Sequence, residues 1–357
     1  MGELLQNLPR KRRDKRSLCN MRWGEAAMSK GSQSKTLNSI KNWYATSKQE
    51  AGLYIALVVL IVFLSIASPA FLNAENILNI IRQVSIVGII AIGGFMVILT
   101  GGMDISVGYV AALTGIVVAK LTIDMDVPMP LSITAGMCVG LLAGLLNGTL
   151  STYLNLPSFI VTLGTMQICQ GAGYVITQAT PISNFPESFV ELGRGYWGQI
   201  PIPVIILAGL YIFMSLFMKY SKFGTYCYAL GGNKESARLS GIRVNRIQVL
   251  VYILGGLFSS LGGLIVAART NAGSAQVGGT YLFDVFTACV LGGTALSGGI
   301  GRLPGVVVGC IFVGILNNGL VQLNVDSFYQ MMVQGIVLVI AVVLQSLLTR
   351  EKRIKRQ

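Results

Sequence analysis

The residues of this chain that could do chemistry are neutral and polar, and they lie within or beside long apolar stretches. Hydroxyl and carboxamide side chains can hydrogen-bond a neutral polyhydroxyl solute and cost less to desolvate than charged groups. They therefore indicate a pathway for a sugar better than one for an ion. The alternative is that each makes a hydrogen bond between helices, worth about 0.6 kcal/mol in a membrane protein. The predicted pathway residues are Asp104, a carboxylate at a span end, and the neutral Ser106, Asn147, Thr162, Thr165, Gln167, Thr294, Ser297, Asn317 and Asn318.

The sequence lacks the residues that several other kinds of chemistry need. The chain has no histidine, which excludes an imidazole base and histidine metal ligands. Its six cysteines lie at least 21 positions apart, so neither a zinc site nor a redox dithiol is indicated. No GxxxxGK[ST] sequence occurs, so a separate subunit would have to hydrolyse any ATP that drives the protein. We predict no catalytic residue and no metal site. Asp104 and Asp284 are expected at span ends, which leaves ion coupling unsupported.

The elements that must position these residues are membrane-spanning helices. Of the 357 residues 53% are hydrophobic and only 11% are charged, where a soluble domain carries about 25%. Crossing a hydrocarbon core takes about 20 mostly apolar residues. The sequence predicts an all-α polytopic membrane domain over 51–348, with about ten spans broken locally by glycine. These spans are 52–68, 84–102, 105–121, 131–153, 158–177, 200–218, 247–268, 283–300, 303–322 and 328–348.

The positions of lysine and arginine predict the orientation. Of the 27 basic residues, eleven precede residue 51, six lie in 219–246 and five lie at the C-terminal end. The positive-inside rule places all three segments in the cytoplasm, and the even numbers of spans between them, six and four, agree. We therefore predict basic cytoplasmic tails over 1–50 and 349–357 and a cytoplasmic loop over 219–246. Arg269 is the exception, because it falls on the opposite side.

The N-terminal basic segment has several interpretations. Its charge could attract nucleic acid or anionic lipid, but a solvated tail that sets the topology accounts for it, and we predict no nucleic acid partner. It does not fit a cleaved signal peptide, because it lies far from the first apolar run and no small-residue cleavage site follows. Met21 and Met28 offer alternative starts, so residues 1–27 are predicted to be dispensable or absent from the natural product.

Glycine spacing predicts close helix packing and local bending. In membranes, small residues at four-residue intervals let two backbones approach closely, either as static packing or as faces that slide during a conformational cycle. Paired glycines such as 101–102 and 298–299 each lower helix propensity by about 1 kcal/mol relative to alanine. Broken helices of this kind are tolerated in membranes only where protein or a water-filled cavity receives them. The predicted packing row is Gly136, Gly140, Gly144 and Gly148.

A short helix is predicted inside the loop 219–246. Asn233 can cap its start, Glu235 lies in its first turn, and Gly241 can adopt the left-handed conformation that ends it. A capped two-turn helix in a cytoplasmic loop is suited to docking another protein. The alternative is a linker helix that lies on the membrane surface.

Four blocks of this sequence resemble the membrane permease of bacterial carbohydrate-uptake ABC transporters of the ribose, galactose and xylose type. The resemblance runs from about residue 50 to 348, in a ten-span context. The blocks are Leu99–Gly108 (LTGGMDISVG), Asn155–Gly164 (NLPSFIVTLG), Ala229–Ile242 (ALGGNKESARLSGI) and Leu291–Gly305 (LGGTALSGGIGRLPG).

This resemblance implies a permease of the bacterial cytoplasmic (inner) membrane that passes a monosaccharide, ribose or a similar aldose, inward by alternating access. The implied partners are an ATP-binding-cassette ATPase subunit, an extracytoplasmic sugar-binding protein, the lipid bilayer, and a second permease chain, identical or a paralogue. The chain itself would hold no cofactor, since ATP binds the partner. A secondary carrier or facilitative pore for a small neutral polar solute, working without an ATPase, is the alternative. The family's ATPase-coupling loop maps onto Gly232, Asn233, Glu235, Ala237, Arg238, Leu239, Gly241 and Ile242, with Lys234 where the family more often has proline.

Overall fold

The structure is a computed structural model that describes residues 52–354, with side chains as far as Ser346. The N-terminal tail with its alternative starts, and the last three residues, lie outside the described range. The described chain is helical almost throughout, which confirms the all-α membrane architecture. Eight of its helices are long and apolar enough to cross a membrane, and two apolar helices, Gly52–Ala67 and Val277–Leu291, are shorter. The count of ten spans therefore stays a prediction.

In chain order the helices are α1 (Gly52–Ala67), α2 (Ala74–Leu99), α3 (Val107–Ala119, continued by a π-helix over Lys120–Asp124), α4 (Met129–Tyr153), α5 (Ser158–Thr177), α6 (Glu187–Arg194), α7 (Ile202–Tyr220), α8 (Lys222–Gly232), α9 (Lys234–Leu239), α10 (Val244–Thr270), α11 (Val277–Leu291), α12 (Leu303–Gln322) and α13 (Ser327–Ile354). Four two-residue strands form two antiparallel pairs. They are β1 (Ile182–Ser183) with β4 (Ala272–Gly273), and β2 (Tyr196–Trp197) with β3 (Ile200–Pro201).

The centre of the bundle is α2. Its sequence from Val84 to Leu99 is apolar or small on every side, and a helix of that kind has to be buried. The structure buries this whole stretch, with α7, α10, α11 and α12 packed around it. The predicted span 84–102 thus starts ten residues too late, because Glu75 and Arg82 in the first turns of α2 interrupt the charge-free run.

The predicted span 283–300 is also displaced. The helix α11 covers residues 277–291, and 292–302 form a turn in which Gly293, Gly298 and Gly299 have positive φ values of 85°, 79° and 74°. Such angles favour glycine because it carries no Cβ. Asp284, expected at a span end, is consequently the eighth of fifteen residues in α11.

The helices α4 and α10 touch along the predicted glycine row. A Cβ on Gly140 would collide with the Ser260 hydroxyl and the Gly256 carbonyl, and one on Gly144 would collide with the backbone at Tyr252. Gly148 faces Val249 of α10, and Gly136 instead meets Thr114 and Val118 of α3. Backbone approach of this kind replaces the hydrophobic driving force that lipid does not supply.

The bundle has two distinct ends, which α10 connects. With 27 residues and a rise of about 1.5 Å per residue, α10 spans about 40 Å. The first residue of α10 follows the loop that carries α8 and α9, and we call this end of the bundle the α9 end. Near the last residue of α10, Ala268 and Arg269 contact Gly193 of α6, and we call this end of the bundle the α6 end.

Gly140→Leu is expected to destabilise the protein, because the larger side chain would separate α4 from α10. Overpacking typically costs about 1 to 3 kcal/mol, so the apparent melting temperature in detergent, followed by size-exclusion chromatography after heating, should fall. Gly209→Leu on α7 is the matched control, since nothing lies within 4 Å of its Cβ position. Equal melting temperatures for the two variants would contradict the packing described.

Candidate functional site

The helix α9 is built as its sequence predicts. The Asn233 side chain accepts a hydrogen bond from the backbone N–H of Ser236 at 2.8 Å, which caps the first turn. Gly241 ends the segment with a φ of 81°. Glu235 and Arg238 lie 3.8 Å apart and are both solvent-exposed, so this ion pair adds little stability.

The residues of the predicted coupling loop divide between an exposed face and a buried face of α9. Ala237 is only 3% exposed and packs with Leu230 of α8 and Val244 of α10. Leu239, in contrast, is 80% exposed. The sequence placed Ala237 on the docking surface, whereas the structure uses it to fasten α9 to the bundle. Ile242 is half-buried, and the predicted residues that a partner could contact are the exposed Gly232, Asn233, Glu235, Arg238, Leu239 and Gly241.

The end of α8 fits into a junction of glycines at the α9 end. A Cβ on Gly231 would collide with the Leu99 carbonyl and the Gly299 amide, and one on Gly298 would approach Gly101. The Gly299 amide donates to the Leu99 carbonyl at 2.8 Å. The end of α8, the end of α2 and the 292–302 turn are therefore in direct backbone contact.

A tyrosine fastens the same junction. The Tyr228 hydroxyl of α8 donates to the Gly301 carbonyl at 2.9 Å. Burial raises the pKa of this hydroxyl, and the charge of Arg302 opposes the shift. The hydroxyl remains protonated at neutral pH and keeps its donor role. A movement of the loop carrying α8 and α9 would thus reach α2 and the 292–302 turn.

Several predicted pathway residues form one buried hydrogen-bond chain. The Thr165 hydroxyl donates to Asn147 Oδ1 at 2.6 Å, and Asn147 Nδ2 donates to the Ser106 hydroxyl at 3.0 Å. Ser106 in turn donates both its hydroxyl, at 2.5 Å, and its backbone N–H, at 2.9 Å, to Asp104 Oδ1. All four side chains are buried. Their polar groups are satisfied inside the protein, as groups at membrane depth must be.

The same region is held by the start of α5. The Met103 amide donates to the Ser158 hydroxyl at 3.0 Å, and the Ile105 amide donates to the Thr162 hydroxyl at 3.3 Å. Thr162 thereby secures the non-helical segment between α2 and α3. The predicted residues Asp104, Ser106, Asn147, Thr162 and Thr165 are therefore brought together as a cluster that joins α3, α4 and α5.

Two further predicted residues belong to separate polar clusters. Asn317 Nδ2 of α12 donates to both Asp284 carboxylate oxygens at 2.9 and 3.0 Å, and its own carbonyl oxygen accepts from Gln334 Nε2 at 3.1 Å. Asn318 exchanges hydrogen bonds with Asn76 of α2 at 2.8 and 3.0 Å. Sequence reasoning missed Asn76, because the predicted span began only at residue 84.

The last three predicted residues lie elsewhere. Thr294 is buried in the 292–302 turn, where its carbonyl accepts from Gln345 of α13. Ser297 is exposed in the same turn, and Gln167 is exposed on α5. Around Gln167 the helix presents Gly164 and Gly171, and nothing lies within 4 Å of a Cβ built on either. This face of α5 combines a carboxamide with bare backbone. Among the described residues no group of histidine, cysteine or carboxylate side chains could hold a metal ion.

Comparisons with known proteins agree with this architecture. The model of a family described as "branched-chain amino acid transport system / permease component" matches residues 76–342. The chain is 43% identical to the ribose import permease protein RbsC of Bacillus subtilis, over 83% of this chain and 92% of that protein. It is 39% identical to the RbsC protein of Escherichia coli, over 82% and 92%. It is 34% identical to the galactose/methyl galactoside import permease protein MglC of Escherichia coli, over 88% and 98%. No solved structure matches.

Asn147→Leu is expected to lower thermal stability, because it removes the hydrogen bonds that Asn147 makes with the Ser106 and Thr165 hydroxyls inside the bundle. The loss should be on the order of 1 kcal/mol, read as a lower melting temperature in detergent. Gln167→Leu makes the same substitution at an exposed position and should leave the melting temperature nearly unchanged. If Asn147 served only a passing solute, its replacement would be as silent as that of Gln167.

Proposed function

The chain belongs to the family of branched-chain amino acid transport system / permease components, and from that premise we propose that it is the membrane subunit of an ATP-driven importer of ribose or a similar aldose. It is a transport permease of the bacterial inner membrane and not an enzyme. The family resemblance predicted from the four sequence blocks is confirmed. The observation that carries the choice of a sugar is the 43% identity to a ribose import permease over nearly that protein's whole length.

We propose that α9 is the site at which an ATPase subunit binds the permease. The helix is short, capped and polar, and its exposed Leu239 offers apolar surface that a partner can bury. Ala237 ties α9 to α8 and α10, so force applied to α9 cannot be absorbed by a loose loop. ATP binding by the partner would move α8 at the glycine junction, and this movement would shift α2 and the 292–302 turn to give alternating access.

A second permease chain would cover the exposed polar face of α5. A carboxamide in hydrocarbon costs several kcal/mol if it finds no partner, which disfavours lipid against Gln167. Gly164 and Gly171 on the same face allow another backbone to approach. We therefore place the translocation pathway between two permease chains, with Gln167 as the best candidate for sugar contact. The buried cluster around Asn147 would position α5 rather than touch the solute.

An extracytoplasmic sugar-binding protein would deliver the sugar at the α6 end. This end lies about 40 Å from the α9 end along α10, which puts delivery and ATP hydrolysis on opposite faces of the membrane. The chain itself would bind neither ATP nor any other cofactor.

Proteoliposomes separate this proposal from a secondary carrier or a facilitative pore. Vesicles that hold the chain with its ATPase subunit should accumulate labelled ribose only when ATP and the sugar-binding protein are both supplied. Vesicles that hold the chain alone should not accumulate or equilibrate ribose. Ribose flux through the chain alone would overturn the proposal in favour of the alternative.

Leu239→Glu is expected to reduce ATP-driven ribose uptake at least about fivefold, the effect of losing an interface contact worth about 1 kcal/mol or more. Thr225→Glu is the control, since it adds the same charge to an exposed position on α8. It should keep most of the uptake. The two variants should assemble in the membrane equally well, as judged by immunoblot. Undiminished uptake by Leu239→Glu would show that α9 is not the site that the ATPase contacts.

A further inference from the structure

Three arginines lie at the α6 end, at the opposite end of α10 from the loop that carries α8 and α9. Arg82 Nη2 of α2 donates to the carbonyl oxygen of Arg194 at 3.1 Å, and Arg194 Nε donates to the carbonyl oxygen of Arg269 at 2.7 Å. The guanidinium groups of Arg82 and Arg194 are thus each held beside the backbone of the next arginine, while Arg269 contributes its carbonyl oxygen. The hydrogen bonds join the end of α6 to α2 and to the end of α10.

Among the described residues, none of these arginines has a carboxylate partner. Within the described part of the chain, the ion pairs with nitrogen and oxygen within 4.0 Å are Lys120–Asp124 and Arg238–Glu235. Arg82 Nε is moreover buried without a hydrogen-bond acceptor. Arginines without a carboxylate partner leave positive charge at this surface, and that charge attracts an anionic group.

The arginines stand on a rigid platform. Gly193 of α6 is in backbone contact with Ala268 and Arg269 of α10. The ring centroids of Phe185 and of Phe189, a residue of α6, lie 4.5 Å apart, and both side chains are buried. A surface that is ordered before binding loses little conformational entropy when a partner binds.

Aromatic side chains border the arginines. The Arg82 guanidinium lies 4.6 Å from the centre of the Tyr196 ring, and the neighbouring Trp197 is 76% exposed. Arginine, tyrosine and tryptophan are the residues most often found as hot spots of protein interfaces. Arg194 itself is exposed at the rim, where its free terminal nitrogens can meet a carboxylate.

We propose that Arg194, supported by Arg82 and Arg269, is a docking surface for a carboxylate-bearing face of the extracytoplasmic sugar-binding protein. This inference rests on the proposed function, since it names the surface to which that partner binds. The positive charge of a guanidinium attracts a carboxylate, and complementary charge steers protein association. Arg269 lies at the end of α10, whose first residue packs against Ala237 of α9. The proposed docking surface is therefore connected to the coupling loop by a single helix, α10.

The experiment measures ATP hydrolysis by the permease with its cognate ATPase in nanodiscs, titrated with the ribose-loaded sugar-binding protein. Arg194→Gln and Gln178→Glu each lower the net charge by one unit, and only the first lies in the arginine cluster. Arg194→Gln is expected to raise the half-saturating concentration of binding protein roughly three- to tenfold and to weaken its dependence on salt. Gln178→Glu is expected to keep the wild-type value.

Arg194→Lys distinguishes charge from structure, because lysine keeps the charge but loses the bond to the Arg269 carbonyl. It should stay within about twofold of wild type. An effect as large as that of Arg194→Gln would make the role structural and overturn the inference, as would equal behaviour of Arg194→Gln and Gln178→Glu. An effect seen only in nanodiscs containing phosphatidylglycerol, and absent in phosphatidylcholine, would assign the arginines to a lipid headgroup instead. If the wild-type protein is not stimulated at all, the proposed function fails as well.

Discussion

The constraint on which this structure depends is that every polar group carried into the hydrocarbon layer must find its partner within protein. The chain meets it with clusters that each join several helices. Asn147 joins α3, α4 and α5 through Ser106 and Thr165, Asn318 joins α12 to α2 through Asn76, and Asn317 joins α12 to α11 through Asp284. Between the clusters, glycine allows backbones to touch. The bundle is thus held by a few specific polar contacts and by close packing, rather than by an apolar core alone.

The same two devices support the proposal that a partner subunit drives the protein. In that proposal the polar clusters would make groups of helices move together, while the glycine contacts between α8, α2 and the 292–302 turn would allow one group to move against another. Because Ala237 anchors α9 within the packed interior, a partner's movement would be transmitted to the bundle. The chain would thus combine stiff groups of helices, joined by polar clusters, with glycine contacts at which these groups could move.

Much of this architecture could be predicted from the sequence, and the failures have physical causes. Long charge-free runs located α5 and α12 to the residue, and Asn233 with Gly241 located α9. The start of α2 was missed because its boundary turns carry Glu75 and Arg82. The sequence predicts that the span 283–300 continues into the 292–302 turn, because glycine and apolar residues are common in both spans and turns. Partners such as Ser106 and Asn147 are 41 positions apart, and which faces of two helices meet cannot be read from the periodicity of one sequence.

The helix α11 has a consequence for how the chain enters the membrane. Its fifteen residues fall short of the roughly twenty that an independent span needs, and Asp284 at its middle makes transfer into lipid costlier still. The amides that solvate this carboxylate come from Asn317 and Gln334, which the ribosome delivers later. We therefore expect α11 to linger at the translocon until α12 and α13 emerge, so that the last three helices partition into the bilayer as one cooperative unit.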